Sequence, residues 1–432
     1  MYPSTRRCGQ IHAKERSVQI MNKEALKAVV NRIEGYRDEV IALETELTRR
    51  QALGPESDGQ GEKEKSAFLK SYLEGMGLRV DQYDAPDDRV PCGYRPNLVS
   101  ILEGEVSSPR LMVMAHTDVV PPGDLGLWTG DPWTVRTEGD KLIGRGVEDN
   151  QAGLVAGVLA AKAFKEAGVT PRLPLGLVLV ADEETGSKYG LKYLLENHRE
   201  LFDKQDLIII PDAGNPKGTN VEVAEKSILW MKFRTLGKQT HGSTPEKGKN
   251  AHKAAAYLIT RLDTLYRQFK KKNPLFGPPI STFEPTKKLA NVPNINTIPG
   301  EDIFFFDCRV LPEYKLADVL KVVKQLVAET QKKFGVKIQV EFPQKESAAP
   351  PTDPKAPVAR AIARAMSELR RRRTNAVGIG GGTVAKYFRD GGFPCVVWAT
   401  LDERAHTADE YVYIPYILED AKVLAHIALQ DA

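Results

Sequence analysis

Three apolar runs in the first half of the chain each end in acids or an imidazole, and this repeated device restricts the fold more than any other feature. Residues 111–115 (Leu-Met-Val-Met-Ala) lead into His116 and Asp118 and then into a turn rich in proline and glycine at 119–124. The run 173–181 ends in Asp182-Glu183-Glu184-Thr185-Gly186-Ser187, and the run 207–210 ends in Pro211-Asp212-Ala213-Gly214. Short apolar runs bounded by turn signals read as central strands of a parallel sheet, and ligands in open α/β sheets gather beyond the carboxyl ends of such strands. Chemistry is therefore expected along one sheet edge.

Clustered carboxylates repel one another unless cations hold them together, which makes metal the expected remedy. The segment 144–153 (Gly-Arg-Gly-Val-Glu-Asp-Asn-Gln-Ala-Gly) adds an acid just before an apolar helix expected over 152–164. Far downstream, Arg404-Ala405-His406-Thr407-Ala408-Asp409-Glu410-Tyr411 adds a second histidine after a strand expected over 396–400. Together these segments carry enough ligands for two ions. Histidine with carboxylate and no thiolate suits zinc and would also accept cobalt or manganese.

In chain order, apolar residues at helical spacing predict one long amphipathic helix over 24–49, broken by Gly54-Pro55-Glu56-Ser57-Asp58-Gly59. A helix over 62–75 and strands near 78–83 and 97–102 follow, and the alternation to Ile210 argues for a layered α/β domain. After Asp212 the pattern becomes strand-like (221–236), helical (251–269), strand-like (290–297 and 302–310), helical (316–334) and strand-like (336–342), a small two-layer α+β unit. Ligands lie on both sides of it, so the unit reads as an insertion. The expected division is an extension over 1–20, catalytic sequence over 21–228 and 343–432, and the inserted unit over 229–342.

With 61 Lys+Arg against 57 Asp+Glu, the net charge of +4 is too balanced to argue for nucleic acid or a membrane surface. Cys8, Cys92, Cys308 and Cys395 are scattered and form no CxxC pair, which suits a reducing compartment. No apolar stretch reaches the length of a membrane span, and the N-terminus lacks an apolar signal region, so a cytoplasmic protein is expected, with Met21 as an alternative start. His12, His198, His252 and His426 stand alone and are read as structural or solvated.

His116-Thr117-Asp118, Gly144-Arg145-Gly146 with Asp149, Asp182-Glu183-Glu184 with Gly186-Ser187, Asp212, His241-Gly242-Ser243 and Ala405-His406-Thr407 occur in the order of a known set. They resemble the motifs of the cocatalytic-zinc metallopeptidase family that includes aminoacylases, acetylornithine deacetylase, succinyl-diaminopimelate desuccinylase and glutamate carboxypeptidase. The resemblance implies an α/β catalytic domain with a mixed, mostly parallel sheet and an inserted two-layer α+β lid that also forms a homodimer contact. It implies that His116 and Asp212 bind one metal, Glu184 and His406 the other, and that Asp149 bridges both. Two divalent ions against three carboxylates leave room for one hydroxide, the expected nucleophile.

Asp118 is expected to fix the tautomer of His116 from behind. Glu183 is the free acid beside a ligand acid, expected to take a proton from the water and pass it to the departing amine. Adjacent glutamates could exchange these roles on sequence physics alone; the family order assigns them. By resemblance, His241 helps to hold the oxyanion across the dimer, and Arg309 and Asn296 line the substrate side. An arginine suits a carboxylate bidentately, and the loop Gly378-Ile379-Gly380-Gly381-Gly382-Thr383 could offer N–H groups, Gly381 and Thr383 among them, to the same carboxylate.

The chain departs from the family pattern in two places. Glu148-Asp149-Asn150-Gln151 stands where a small residue, the aspartate and Met-Lys are common, and Thr400-Leu401-Asp402-Glu403 replaces a turn with glycine and proline. The expected activity is metal-dependent hydrolysis of an amide next to a free carboxylate, as in an N-acyl amino acid or a short peptide. The alternatives are an aminopeptidase acting on free amino termini and a non-catalytic metal-binding relative.

Overall fold

A computed structural model describes residues 23–431. The expected extension over 1–20 lies outside the described residues. The chain divides into two compact units, one running to Val223 and resuming over Thr352–Ala376 and from Tyr387, the other comprising Ala224–Pro351 with Val377–Lys386.

The first unit is built on a sheet whose strands lie in the order Val80–Pro86, Tyr94–Leu102, Leu175–Val180, Leu111–His116, Leu207–Gly214, Cys395–Ala399, Asn220–Glu225, Asn375–Ile379. Its centre is parallel: Leu111–His116 runs parallel to both neighbours, and Cys395–Ala399 runs parallel to Leu207–Gly214. Strands at the flanks are antiparallel. Every residue of Leu111–His116 and of Leu175–Val180 is buried, as covered parallel strands require, which is why these segments are uninterrupted apolar runs. The apolar helix Ala152–Ala167 packs on this sheet and against the helices Ile414–Ala428 and Arg37–Thr48.

The long helix expected over 24–49 is two helices. Residues 23–34 are helical, the chain turns at Gly35, and Arg37–Thr48 follows. Tyr36 leaves the helical region and is buried, its hydroxyl donating to Glu166 at 2.8 Å. A weak helix former beside an aromatic with a tertiary partner overrides the local periodicity.

The second unit is a four-stranded antiparallel sheet in the order Thr282–Lys288, Glu301–Val310, Ser227–Leu236, Lys337–Glu346, with the helices Ala251–Leu262 and Leu316–Phe334 on one face. Burial alternates along Glu301–Val310, so one side of the strand meets the helices and the other does not. Phe233 and Phe304 are paired across the two central strands and stack with centroids 4.7 Å apart in that core.

The strand expected over 290–297 is not formed. Only Thr297–Ile298 pairs, with Thr240–His241, and Ile295 is fully exposed. Asn294 donates to Asn296 and Thr297 side chains, the local bonding by which asparagine competes with a ladder. Among the described residues, no helix is long and apolar enough to cross a membrane.

Candidate active site

Because Leu175–Val180 and Leu207–Gly214 flank Leu111–His116 in parallel, their carboxyl ends share one edge. His116 is the last residue of its strand and is buried. Asp212 lies within the third strand, which continues past its apolar run to Gly214. Asp149 sits on a kinked turn between Gly146, at φ +87°, and the helix Ala152–Ala167. Gly153 lets that helix press on the strand end, since a Cβ there would lie 2.4 Å from the Pro211 ring. Asn150 fastens the same junction, donating to Pro211 O at 2.7 Å and to Asp212 Oδ1 at 3.0 Å.

The side chains meet around Asp149. Its Oδ1 lies 3.0 Å from His116 Nε2, and its Oδ2 lies 3.2 Å from His406 Nε2. Asp212 Oδ1 is 3.6 Å from His116 Nε2, and Glu184 Oε2 is 3.1 Å from His406 Nε2. Ligand atoms of His116, Asp149 and Glu184 all fall within 4.8 Å of one another. The arrangement has two poles, each with one imidazole and one carboxylate, joined by Asp149.

The electrostatics show a site short of positive charge. Burial opposes protonation of His116, yet the carboxylates of Asp118, Asp149 and Asp212 outweigh it and hold the imidazolium well above its usual range. Hydrogen bonds to Asp149 and Glu184 push His406 up to about 10. Asp149 is buried, which alone would raise it, but the two imidazoles hold it below the ordinary carboxylate range. Burial pushes Glu184 up to about 7 against the pull of His406. Burial and the charge of Asp212 push Glu183 well above its usual range. Its carboxylate makes no hydrogen bond among the described residues, unlike that of Glu184.

Asp118 touches His116 through both its main chain and its side chain. His116 Nδ1 faces the main-chain oxygen of Asp118 at 3.0 Å, whereas the carboxylate is 3.5 Å away. The carboxylate instead accepts the N–H groups of Glu183 and Glu184, each at 3.0 Å. Thus Asp118 holds His116 through its backbone and sets the paired glutamates through its side chain.

Several supporting residues were not singled out from the sequence. Glu410 is fully buried and accepts from Arg145 Nη1 at 2.5 Å and from the N–H groups of Gly146, Glu148 and Asp149 at 2.9–3.0 Å. The available signal was an acid four residues after His406 within a segment already marked. Arg95 is fully buried and clamps Glu62, with Asp87 at 3.5 Å and Asp182 at 3.7 Å from its Nη1. Gln151, where lysine is common in the family, has Lys65 Nζ 3.2 Å from the amide oxygen that satisfies it.

The remaining expected residues belong to the second unit. His241 is exposed, and its Nδ1 is engaged by Ser243 Oγ at 2.7 Å; Gly242 N donates to Asn296 O, placing Asn296 beside it. Arg309 is already partnered. Its Nε and Nη2 donate to the two oxygens of Asp307 at 2.8 and 3.1 Å, and Nη1 donates to Gly380 O at 3.0 Å. Thr383 gives both its N–H and its hydroxyl to Glu225 Oε1, so neither is left for a ligand in this state. A Cβ at Gly381 would meet nothing.

Known proteins resemble this chain over most of its length. An uncharacterized metallohydrolase of Methanococcus maripaludis is 38% identical over 413 residues, covering 90% of this chain and 98% of that protein. A succinyl-diaminopimelate desuccinylase of Stenotrophomonas maltophilia is 29% identical, covering 87% of this chain and 94% of that protein. The structure of human carnosine dipeptidase 1 superposes with a TM-score of 0.72 at 18% identity, covering 94% of this chain and 98% of that one, a likeness of fold. The model of Peptidase family M20/M25/M40 matches residues 112–430. The chain therefore belongs to that family and is an enzyme, a metal-dependent hydrolase of the peptidase and amidohydrolase class.

Proposed function

We propose that the chain is a dinuclear metal hydrolase that cleaves an amide bond next to a free carboxylate, with an N-acyl amino acid or a short peptide as substrate. The observation that carries this reading is the position of Asp149, whose two oxygens lie 3.0 and 3.2 Å from two different imidazoles. The donor set fits two divalent cations. Both imidazoles are drawn toward protonation by surrounding carboxylates, and Glu184 Oε1 is buried without a partner among the described residues. His116 and Asp212 would hold one ion, Glu184 and His406 the other, and Asp149 both. Zinc suits these ligands, as would cobalt or manganese.

When bound, such ions supply an acidified water and polarise the substrate carbonyl. Glu183 would accept a proton from the attacking water and deliver it to the leaving amine, a task for which its raised proton affinity is suited. His241, with Nδ1 engaged by Ser243, keeps Nε2 for the oxyanion, and we assign it to a partner's site in a homodimer. Arg309, held by Asp307, is assigned to the substrate carboxylate by resemblance to the family. One relative is named for removing a succinyl group and one fold neighbour as a dipeptidase, which supports this substrate class. The scattered cysteines, with no CxxC pair, support a cytoplasmic setting.

The test is a panel of acyl-amino acids, dipeptides and their C-terminally amidated analogues, assayed on metal-stripped and reloaded protein. Activity should vanish on stripping and return as about two ions per chain are restored. Free acids should outrun amides, and Arg309→Ala should narrow that gap by raising KM for the acids. Full turnover without metal, or saturation at one ion, contradicts the dinuclear reading. Mixing inactive Glu183→Gln and His241→Ala chains after subunit exchange should restore about a quarter of wild-type sites, because half the dimers are mixed and each holds one intact site. No recovery after demonstrated exchange would return His241 to its own chain.

A further inference from the structure

The two places where this chain departs from its family are joined to each other. Glu148 is 3% exposed, and its carboxylate reaches across 254 residues to accept the N–H of Asp402 at 2.7 Å, its other oxygen accepting the N–H of Arg404. These two amides flank Glu403, which sits at φ +58°. His406 and Asp409, in the same loop, are also left-handed, at φ +62° and +49°. Left-handed backbone is unfavourable for residues other than glycine and persists only where surrounding contacts impose it. Packing does not hold His406, whose side chain is 55% exposed. Its Nε2 meets Asp149 and Glu184 at 3.2 and 3.1 Å, and the backbone of its loop aims the ring at them.

We propose that Glu148 is a positioning residue that clamps the 402–404 turn and so fixes His406 at its pole of the metal cluster. Glu410 makes the reciprocal contact, its carboxylate gathering the N–H groups of Gly146, Glu148 and Asp149. Each metal-bearing loop is held by an acid from the other, and the distance between Asp149 and His406 is set by this exchange. Asp402 adds a further tie, its carboxylate accepting from Tyr411 and Tyr416 at 3.0 and 3.2 Å. The metal part of the proposal rests on the ligand set given above.

Glu148→Ala, Glu148→Gln and His406→Ala separate the possibilities. Glu148→Gln keeps the volume and one acceptor oxygen but turns an N–H donor toward the second amide. In metal-free protein, deuterium exchange over 400–407 should quicken at least tenfold in Glu148→Ala and less in Glu148→Gln. Zinc calorimetry should show the ion that His406→Ala loses weakened roughly 10- to 100-fold in Glu148→Ala, while the other ion is held nearly as in the wild type. Unchanged exchange overturns the clamp. Equal weakening of both ions together with a lower metal-free Tm would make Glu148 a general structural residue and also overturn it. Zinc binding by His406→Ala identical to wild type sinks the proposed ligand set, while exchange still judges the clamp.

Discussion

Glu183→Gln should retain both metal ions and lose turnover by roughly a hundred- to ten-thousand-fold, the usual scale for removing a general acid–base group. The substitution keeps shape and polarity but cannot accept a proton. Among the described residues the Glu183 carboxylate makes no hydrogen bond that the fold would miss, and the backbone N–H, held by Asp118 Oδ1 at 3.0 Å, is untouched. The loss should therefore appear in kcat, with KM and Tm close to wild type. Glu184→Gln should behave differently, because Glu184 Oε2 lies 3.1 Å from His406 and helps to form the second pole. That variant should lose an ion. Metal analysis of both proteins decides the matter: an ion missing from Glu183→Gln would reverse the two assignments.

Arg95→Met should be the most destabilising single change near the site. Arg95 is fully buried and binds Glu62 through Nε and Nη2, with Asp87 and Asp182 within 3.7 Å of Nη1. Methionine would fill much of the volume yet leave the Glu62 and Asp182 carboxylates without their arginine, while Asp87 keeps Arg89 at 2.8 and 2.9 Å. Removing one partner of a buried pair costs about 3–5 kcal/mol, which corresponds to a Tm lower by roughly 5–10 °C in a unit of this size. The sign with pH follows from linkage. Unpaired buried carboxylates bind protons more tightly in the folded state than in the unfolded one, so the deficit should be greatest near neutrality and shrink as pH falls toward the ordinary carboxylate range. Thermal unfolding at pH 7 and pH 5 measures this; a Tm within about 2 °C of wild type at both would show that the cluster relaxes or hydrates.

How much could be read in advance differs from residue to residue. His116, Glu184 and Asp212 were legible because each follows an apolar run, and a run of that kind in a parallel sheet delivers its end to a common edge. The Asp307–Arg309 pair is equally legible, since residues two apart on a strand share a face. By contrast, the asparagine-rich segment before Thr297 looked strand-like only through its apolar members, and its side chains bond locally instead. The break at Gly35 depends on a tertiary partner for Tyr36, Glu166, 130 residues away.

What the sequence by itself determined is the layered α/β plan and the order of the candidate ligands, because apolar periodicity, turn residues and strand-end acids act over a few neighbouring positions. Only the tertiary structure decided which oxygen of Asp149 faces which imidazole, that Asp118 serves through its carbonyl as well as its carboxylate, and that Glu148 and Glu410 each hold the other's loop. The Glu148 and Glu410 contacts join backbone N–H groups to carboxylates more than 250 residues distant, as from Glu148 to Asp402 and from Glu410 to Asp149. A buried carboxylate must find donors, but nothing in its local pattern says whose. The packing of the 144–151 and 402–410 segments at one sheet edge supplies the answer.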